Sequence, residues 1–426
     1  MRFERLDEAQ AWIESVVRFT DKFDLSRMVR ATDMLDHPEK DITTIHVGGT
    51  NGKGSTVQFL KRVLMAAGYT VGTFTSPYVV RFNERIAIDD APISDEDLLH
   101  HINRIHEVQK DYLKKHEDQI SFFELLTLMS FLYFKDKQPD VVIYEVGLGG
   151  TLDATNVIEP VLAVITSIGH DHMHVLGDTL EQVAKQKLGI VKEGVPLVTG
   201  ITQTQLKPSF ISHTNENGSP LYFLDDYPIK AFKPGPPTSF IHNREPYVIH
   251  VEGTYQVRNA GLSLLACDAL EKHAGFSIPK LARKKGLSEV SMPGRFERMG
   301  HTIFDGAHNP EGIEAGIEAI KTYYPNRQVT VLFSVMKDKD YLPMVEALEE
   351  IATHIVFTEV DMPRAEKADV LKTHCNKIPC NAEADFKEAY RLATSHTGDG
   401  ILYACGSLYF ISALRQHVIT MTQDAS

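Results

Sequence analysis

A glycine-rich segment with one lysine and one serine is the first part of the sequence whose residue types and spacing suggest chemistry. It follows an apolar run at residues 42–47 and opens a helical stretch at residues 55–67. Glycines let backbone N–H groups approach phosphate oxygens, and the start of a helix favours anions. We therefore predict that the segment cradles a nucleotide phosphate through Gly49, Thr50, Asn51, Gly52, Lys53, Gly54 and Ser55.

The segment departs from the common phosphate-loop spelling G-x-x-x-x-G-K-[ST] at two points. Val47 stands where the first glycine is usual, and Gly54 separates Lys53 from Ser55. A glycine-rich turn without a ligand is the alternative interpretation. The combination of strand, lysine, serine and helix favours nucleotide binding, with Lys53 at the phosphates and the Ser55 hydroxyl at Mg²⁺.

Glu145 is a candidate Mg²⁺ ligand. It lies near the end of the apolar run at residues 141–146 and is followed by the glycine-rich residues 147–150. A carboxylate at the carboxyl end of a strand faces the ligand crevice of an open α/β sheet, and Mg²⁺ takes oxygen ligands. A residue of this type standing alone would be interpreted as a solvated loop carboxylate.

Two further stretches carry residues that could bind a metal. Residues 169–174 contain His170, His172 and His174, and three histidines so close together suggest a transition metal. Consecutive residues, however, rarely converge on one ion. Lys187 lies on a later helical stretch, where a solvated lysine face is the plain interpretation. The residue types alone leave both roles open.

The elements that must position these residues alternate between apolar, β-branched runs and helical stretches. Such alternation is typical of βαβ units with a parallel sheet. Burial of the sheet on both faces explains why the runs are almost continuously apolar. The predicted strands of this first series are residues 42–47, 70–75, 141–146, 161–166 and 195–199.

A second α/β series follows a break in the pattern. Residues 203–246 are predicted to form an irregular or β-rich insert, and a helix is predicted at residues 256–273. We place the domain boundary at Pro293 and Gly294. The predicted fold is α/β, with a mostly parallel, P-loop ATPase-like sheet domain at residues 1–293 and a smaller Rossmann-like α/β domain at residues 294–426. The second series has predicted strands at residues 302–305, 329–333, 354–358 and 401–404, and predicted helices at residues 310–323, 342–351 and 408–417.

Composition and charge limit the class of protein. A length of 426 residues suggests two or three domains, and 43% hydrophobic with 24% charged residues is ordinary for a globular protein. A net charge of -13 argues against binding nucleic acid or anionic lipid through the overall field. No signal peptide or membrane span is predicted. The four cysteines form no CxxC pair, so we expect reduced thiols and a cytoplasmic protein.

Several motifs together resemble those of Mur ligases and folylpolyglutamate synthases. Residues 49–55 resemble the phosphate-loop sequence of that superfamily. Residues 73–77 and 81–86 resemble its folate branch in particular, and the resemblance extends along the chain to residues 406–409. The resemblance implies an ATP-dependent ligase that adds glutamate to the side-chain carboxylate of folate through an acyl phosphate. Closure of two domains would then exclude water from the acyl phosphate.

The resemblance also implies roles for single residues. In the related ligases, the lysine at the position of Lys187 is carbamylated, which replaces a cation by an anionic oxygen ligand. His172 would serve a second Mg²⁺, which leaves His170 and His174 with structural roles. The implied metal ligands are Ser55, Ser76, Glu145, His172 and Lys187, and the implied catalytic residues are Lys53, Lys187, Arg295 and His308.

Further implied contacts concern ATP and folate. Three motifs, at residues 256–259, 293–297 and 305–310, resemble the remaining ATP motifs of the family. An arginine in such a motif can neutralise charge that develops on a transferred phosphoryl group. The implied contacts are Asn259 with adenine, Arg295 with the γ-phosphate, Asp305 with ribose, His308 along the site, and Phe82 and Arg85 with the pterin and carboxylate ends of folate.

Three alternatives stand beside this function. A dihydrofolate synthase performs the same chemistry on dihydropteroate, and many bacterial members of the family do both. A Mur ligase for a cell-wall precursor carries a UDP-binding domain ahead of the ATP domain, and 47 residues before Gly48 are too few for one. A nucleotide-binding module without enzymatic activity would not need Glu145, His172 and Lys187 together. We therefore expect ATP, glutamate and folate or dihydropteroate as partners of a monomer that binds neither nucleic acid nor membrane.

Overall fold

The computed structural model describes residues 2–17, 24–78 and 80–424, which divide into two units. The first unit holds the described residues up to Ile168 together with Leu176–Pro228 and Ala260–Leu287. The second holds Gly169–Val175, Ile229–Asn259 and the described residues from Ser288 onward. The predicted domain boundary at Pro293 and Gly294 stays a prediction.

The apolar runs of the first series form an eight-stranded sheet in the first unit. The strands are β1 Thr44–Gly48, β2 Val71–Phe74, β3 Ile86–Ile88, β4 Ala91–Pro92, β5 Val141–Glu145, β6 Leu162–Ile165, β7 Leu197–Thr199 and β8 Leu221–Phe223. Their order is β4-β3-β2-β5-β1-β6-β7-β8. Strands β2, β5, β1, β6, β7 and β8 pair in parallel, and β3 and β4 add an antiparallel edge. The predicted parallel sheet is thus confirmed.

Ten helices accompany these strands along the described chain. They are α1 Leu6–Ser15, α2 Ser26–Asp33, α3 Lys53–Ala66, α4 Asp95–Lys115, α5 Phe122–Lys137, α6 Met173–Leu176, α7 Leu180–Leu188, α8 Lys207–Glu216, α9 Thr254–Ala274 and α10 Lys280–Ser288. Short 3-10 helices lie at Pro38–Asp41, Phe82–Arg85, Ala154–Val157, Thr204–Leu206 and Leu224–Asp226. Phe74 and Tyr144 of the sheet pack with Phe131 and Phe134 of α5 in a buried aromatic core.

The region predicted as an irregular or β-rich insert contains strands, as the β-rich alternative expected, and helix α8, which the sequence pattern did not indicate. Helix α8 and strand β8 extend the first unit, whereas three antiparallel strands follow in the second unit. These strands are β9 Lys230–Lys233, β10 Thr238–His242 and β11 Glu245–Ile249. Helix α8 buries only Phe210 and Thr214, so it shows too little apolar periodicity to be recognised from sequence.

The second α/β series forms a six-stranded sheet in the order β12-β13-β17-β14-β15-β16. Its strands are β12 Arg295–Met299, β13 Thr302–Asp305, β14 Val329–Phe333, β15 His354–Glu359, β16 Cys380–Asp385 and β17 Ile401–Cys405. Its helices are α11 Pro310–Tyr323, α12 Leu342–Glu349, α13 Ala368–Lys372, α14 Phe386–Thr397 and α15 Leu408–Asp424. Only β12 pairs antiparallel within this sheet.

Both faces of the second sheet are buried. Val329, Val331 and Phe333 of β14 belong to one hydrophobic cluster, and Leu332 belongs to another. Alternate residues of a strand point to opposite faces, so a buried strand reads as a continuous apolar run. No helix in the described part of the chain is long and apolar enough to cross a membrane.

Candidate active site

The glycine-rich loop connects β1 to α3, and residues just after β6 fix its shape. Gly49 has a φ of +144°, and a Cβ atom there would collide with the side chain of Thr166, so only glycine fits. The Thr50 N–H donates to the Ser167 carbonyl (2.9 Å), and the Asn51 N–H donates to the Ser167 hydroxyl (2.9 Å). The Thr166 hydroxyl donates to the Asn51 carbonyl (2.6 Å). The chain itself therefore holds the loop in shape.

Lys53 and Ser55 lie in the first turn of α3. The Lys53 ammonium donates to the carbonyl oxygens of Gly49 (3.0 Å) and Thr50 (3.2 Å), which holds its charge at the loop. Ser55 is buried. The first N–H groups of a helix have no intrahelical acceptor and favour an anion. Helix start, glycine backbone and lysine charge together fit a phosphate group.

Parallel pairing brings Glu145 beside this loop. Strand β5 pairs with β1, and the register sets Glu145 opposite Val47, two residues before Gly49. Glu145 is only 4% exposed. The Ser76 N–H, just past β2, donates to Oε2 of Glu145 (3.3 Å). Two of the predicted metal ligands thus meet at the carboxyl edge of the sheet, and carboxylate and hydroxyl oxygens suit Mg²⁺.

Lys187 lies near the end of α7, against the loop that follows Glu145. The Thr151 N–H donates to the Gln186 carbonyl (2.7 Å), and a Cβ atom at Gly150 would lie 2.9 Å from Cα of Lys187. Glycine at position 150 therefore permits the close approach of α7. Lys187 is 4% exposed, which is rare for a lysine. This burial does not agree with a solvated lysine face.

His172 belongs to the second unit, unlike Ser55, Ser76, Glu145 and Lys187. Its backbone has a φ of 52°, in the left-handed region, and its N–H donates to Oδ1 of Asp171 (2.9 Å). The Lys339 ammonium lies 3.4 Å from Nε2 of His172. A cation thus already approaches one ring nitrogen of the residue that is predicted to bind a metal. The role of His172 as a metal ligand stays a prediction.

The two other histidines of this stretch were predicted to be structural. The His170 N–H donates to Oε1 of Glu311 (2.8 Å), and its Nδ1 lies 2.9 Å from the same oxygen. This contact is consistent with a structural role. The side chain of His174 lies outside the described part of the chain.

Asp171 is a central residue that the sequence analysis did not single out. Its Oδ1 lies 2.6 Å from the Lys339 ammonium, and its Oδ2 lies 3.5 Å from Nε2 of His308 and 3.4 Å from Nδ2 of Asn309. Burial raises the pKa of this carboxyl, but the hydrogen bond from His308 and the charge of Lys339 outweigh it and hold the pKa well below its usual range. Asp171 lies within the histidine-rich stretch, which was the one available sequence signal.

Asp305 and Arg295 face each other across the pairing of β12 with β13. Oδ2 of Asp305 accepts hydrogen bonds from the hydroxyls of Tyr255 (3.3 Å) and Tyr403 (3.1 Å), and its Oδ1 accepts from the Ala307 N–H (3.3 Å). Burial raises the pKa of the Asp305 carboxyl, and the charge of Arg295 opposes this shift. One carboxylate oxygen of Asp305, the residue predicted to hold ribose, thus already accepts hydrogen bonds from two tyrosine hydroxyls of the chain.

His308 and Asn259 are the remaining residues predicted at ATP. Nδ1 of His308 donates to the Gly306 carbonyl (2.8 Å), because a carbonyl oxygen can only accept, and this directs Nε2 towards Asp171. Asn259 is buried on α9, and its Nδ2 donates to Oε1 of Gln256 (3.0 Å). Both ATP contacts stay predictions.

The residues predicted for folate, Phe82 and Arg85, are both buried in the 3-10 helix Phe82–Arg85. The guanidinium of Arg85 lies 5.1 Å from the ring centroid of Tyr78, 5.7 Å from that of Phe82 and 5.8 Å from that of Phe122. A cation over aromatic faces is attracted by their quadrupoles. Their neighbours line a cavity of about 320 Å³, formed by Arg81, Asn83, Glu84, Pro92, Ile93, Ser94 and Asp95. Sequence reasoning did not assign these residues.

Among the described residues, one group of three side chains is close enough together to hold a metal ion. None of its members belongs to the predicted set of metal ligands. It consists of His100, His101 and Asp136. Arg104 already forms an ion pair with Asp136. The histidine Nδ1 of His101 donates to the Asp97 carbonyl (2.7 Å). Two of the three members thus already have partners in the chain.

Comparison with protein families gives two matches along the chain. Residues 47–224 match the model of the Mur ligase middle domain, and residues 294–407 match that of the Mur ligase glutamate ligase domain. A dihydrofolate synthase/folylpolyglutamate synthase from Bacillus subtilis (strain 168) is 40% identical, over 98% of this chain and 100% of that protein.

Solved structures agree with these relatives. A folylpolyglutamate synthase (FPGS) from Mycobacterium tuberculosis, complexed with ADP and AMPPCP, has a TM-score of 0.89 at 25% identity, over 96% of this chain and 97% of that chain. An FPGS–AMPPCP–folate complex has a TM-score of 0.86 at 29% identity, over 97% of this chain and 99% of that chain. The α/β architecture expected from sequence is therefore confirmed.

Proposed function

The chain belongs to the dihydrofolate synthase/folylpolyglutamate synthase family of Mur ligases, and from this premise we propose that it lengthens the glutamate tail of a reduced folate. It is an ATP-dependent ligase. The observation that carries the proposal is the pairing of β1 with β5, which puts the Glu145 carboxylate beside the phosphate loop. A phosphate cradle next to a buried carboxylate suits phosphoryl transfer to a substrate acid.

The proposed reaction activates a carboxylate before it forms an amide. The γ-phosphoryl group of ATP passes to the side-chain carboxylate of the folate glutamate, which gives an acyl phosphate and ADP. The amine of the incoming glutamate attacks the acyl carbon and loses a proton, and the tetrahedral intermediate expels phosphate. One amide bond forms for each ATP cleaved.

The residues of the first unit would act on the transferred phosphoryl group. The Lys53 ammonium, held at the loop by two carbonyl oxygens, would neutralise charge on the phosphate oxygens. A Mg²⁺ ion held by Ser55 and Glu145 would neutralise further charge. Ser76, His172 and a carbamylated Lys187 are further predicted metal ligands.

Four other residues keep their predicted roles. Arg295 and His308 are predicted to be catalytic, and Asn259 and Asp305 are predicted to contact the nucleotide.

The substrate acid is proposed to be folate bound near Phe82 and Arg85. A buried guanidinium within aromatic rings is a preorganised partner for a carboxylate, because its position is already fixed before the substrate binds. Folate carries carboxylates and a flat pterin ring. The guanidinium of Arg85 suits a carboxylate, and the aromatic rings near it suit the pterin ring.

Dihydrofolate synthase activity is the second candidate. It is favoured by one observation, the relative from Bacillus subtilis that carries both names and matches over the whole of its length. The two activities differ in the acceptor acid, which is a benzoate-type carboxylate in dihydropteroate and a glutamate side chain in folate.

A product analysis tests both candidates. Purified protein is incubated with ATP, Mg²⁺ and glutamate, and either tetrahydrofolate or dihydropteroate is added. We expect mass spectrometry to detect products extended by one or more glutamates from tetrahydrofolate. A product from dihydropteroate as well would establish the second activity, and glutamate-independent ATP hydrolysis without any product would contradict the ligase.

A further inference from the structure

The contacts of Asp171 form a charged network within the second unit. Its carboxylate faces four groups: the Lys339 ammonium (2.6 Å), Nδ2 of Asn309 (3.4 Å), Nε2 of His308 (3.5 Å) and the His172 N–H (2.9 Å). Lys339 is the nearest of the charged partners. The side chains of Asp171 and Lys339 are each 11% exposed, so the pair is largely shielded from water.

A largely buried ion pair has consequences that a surface pair does not. Removing one partner leaves the charge of the other partner buried without a counter-charge. This strongly disfavours the folded position of the remaining side chain. An exposed pair would contribute little. The loss of Lys339 should therefore displace Asp171, and the displacement should reach every group that hydrogen-bonds to it.

The same lysine also touches the histidine predicted to bind metal. Its ammonium lies 3.4 Å from Nε2 of His172, and it lies on the loop between β14 and α12. Asp171 fixes the other side of this segment through the His172 N–H. Lys339 and Asp171 thus hold His172 from its ring and from its backbone.

A second branch of the network leads to α11. Oδ1 of Asn309 accepts from the Gly312 N–H (2.8 Å) and caps this helix, while Nδ2 points to Asp171. The Gly306 carbonyl fixes Nδ1 of His308. The position of Asp171 is therefore tied to His172, which is predicted to bind metal, and to His308, which is predicted to be catalytic.

We propose that Lys339 is a positioning residue of the ligation reaction, which acts through Asp171 on His172 and His308. The proposal rests on the proposed function. The plain alternative is that Lys339 belongs to a solvated charge run, as its neighbours in residues 337–340 suggest. Lys337 of the same run is exposed, and its ammonium donates to the Pro363 carbonyl (3.3 Å), so it is a matched control.

Steady-state kinetics test the proposal. For Lys339→Met we expect kcat to fall by about 10- to 100-fold, as for residues that orient metal ligands or catalytic groups. KM for ATP should stay within about twofold, because Lys339 is not predicted to touch the nucleotide. Lys339→Arg keeps the charge and should recover a large part of kcat. Lys337→Met should leave kcat unchanged.

Hydrogen exchange supplies a readout that does not depend on activity. In the protein without ligands, the peptide covering Gly169–Val175 should exchange faster in Lys339→Met than in the wild-type protein or in Lys337→Met. In the double variant Lys339→Met with Asp171→Asn, the buried charge is gone, so part of the protection should return.

The outcomes separate this proposal from the proposed function. Wild-type kcat in Lys339→Met, or unchanged exchange of Gly169–Val175, would overturn the positioning role. If the wild-type protein formed no glutamate adduct, the proposed function would fall, and the exchange comparison would still decide whether Lys339 holds this segment.

Discussion

The Ser76 N–H donates to the Glu145 carboxylate across 3.3 Å, so two residues that are 69 positions apart meet at the carboxyl edge of the first sheet. Strand β5 lies between β2 and β1, which explains the meeting. The chain after β2 passes the carboxylate, and the phosphate loop begins on the other neighbouring strand. This arrangement puts one carboxylate within reach of two loops.

Glu145→Gln should abolish most of the Mg²⁺-dependent turnover. The amide oxygen of glutamine can still accept from the Ser76 N–H, whereas the charge that attracts Mg²⁺ is lost. We expect kcat to fall by more than about 100-fold, beyond the loss typical of residues that only support a metal ligand. Initial rates across a Mg²⁺ titration measure this effect, and the exposed Glu193→Gln is the control. Equal Mg²⁺ dependence in Glu145→Gln and wild type would remove Glu145 from the metal site.

Lys53→Ala should lose ligation and keep the fold. The ammonium donates to two carbonyls of the loop itself, so we expect its loss to leave the strands and helices around the loop in place. Turnover should fall by about 100- to 1,000-fold, as for a group that stabilises transition-state charge. Circular dichroism and product formation are compared with those of Lys115→Ala, an exposed lysine at the end of α4. Near wild-type turnover at saturating ATP would contradict the phosphate-loop assignment.

Local sequence signals predicted much of the fold, because apolar runs and turn residues determine strands and helices directly. Strand β1 and the glycine-rich loop after it could be predicted from local sequence alone, without knowledge of what they contact elsewhere in the chain. Helix α8 was missed because it buries few apolar residues. The bulge at Phe296, with a φ of 55°, was also beyond a pattern of alternating residues.

The candidate site was predictable only where one motif carries its chemistry. Lys53 and Ser55 follow from the loop, whereas the pairing of Asp171 with Lys339 spans 168 positions and depends on tertiary structure. The burial of Lys187 was equally hidden, because it depends on the close approach that Gly150 permits. Charge alone made Lys187 look like a solvated residue.

The stability of the protein should depend on pH through His46 of β1. Burial, with a smaller effect from the charge of Lys192, lowers the pKa of His46 to about 3. Between pH 6.5 and 3 the imidazole is protonated in the unfolded chain but neutral in the folded one. The unfolding free energy should therefore fall as the pH decreases, by about 1.4 kcal/mol per pH unit from this group.

His46→Gln isolates this contribution. Glutamine does not titrate, and its amide can replace the contact between Nε2 of His46 and the Thr155 hydroxyl (2.8 Å). Urea unfolding at pH 7, 6 and 5 should show a shallower decline for His46→Gln than for the wild type. The exposed His100→Gln should keep the wild-type slope. Parallel pH profiles for His46→Gln and wild type would show that His46 does not contribute.

Lys187 should be carbamylated and should serve the second metal. An unmodified ammonium beside Mg²⁺ and ATP phosphates would repel the metal, so a lysine there must either bind phosphate as a cation or become an anion. Lys187→Ala should lose most activity, and added acetate should restore part of it by filling the vacated oxygen position. Lys187→Arg keeps a cation, so it should be inactive if a carbamate is required. Lys185→Ala, on the exposed face of the same helix, should be fully active. Full activity of Lys187→Arg, or a high-resolution map that shows an unmodified Lys187 amine with both metals bound, would exclude the carbamate and leave Lys187 as a phosphate-binding cation.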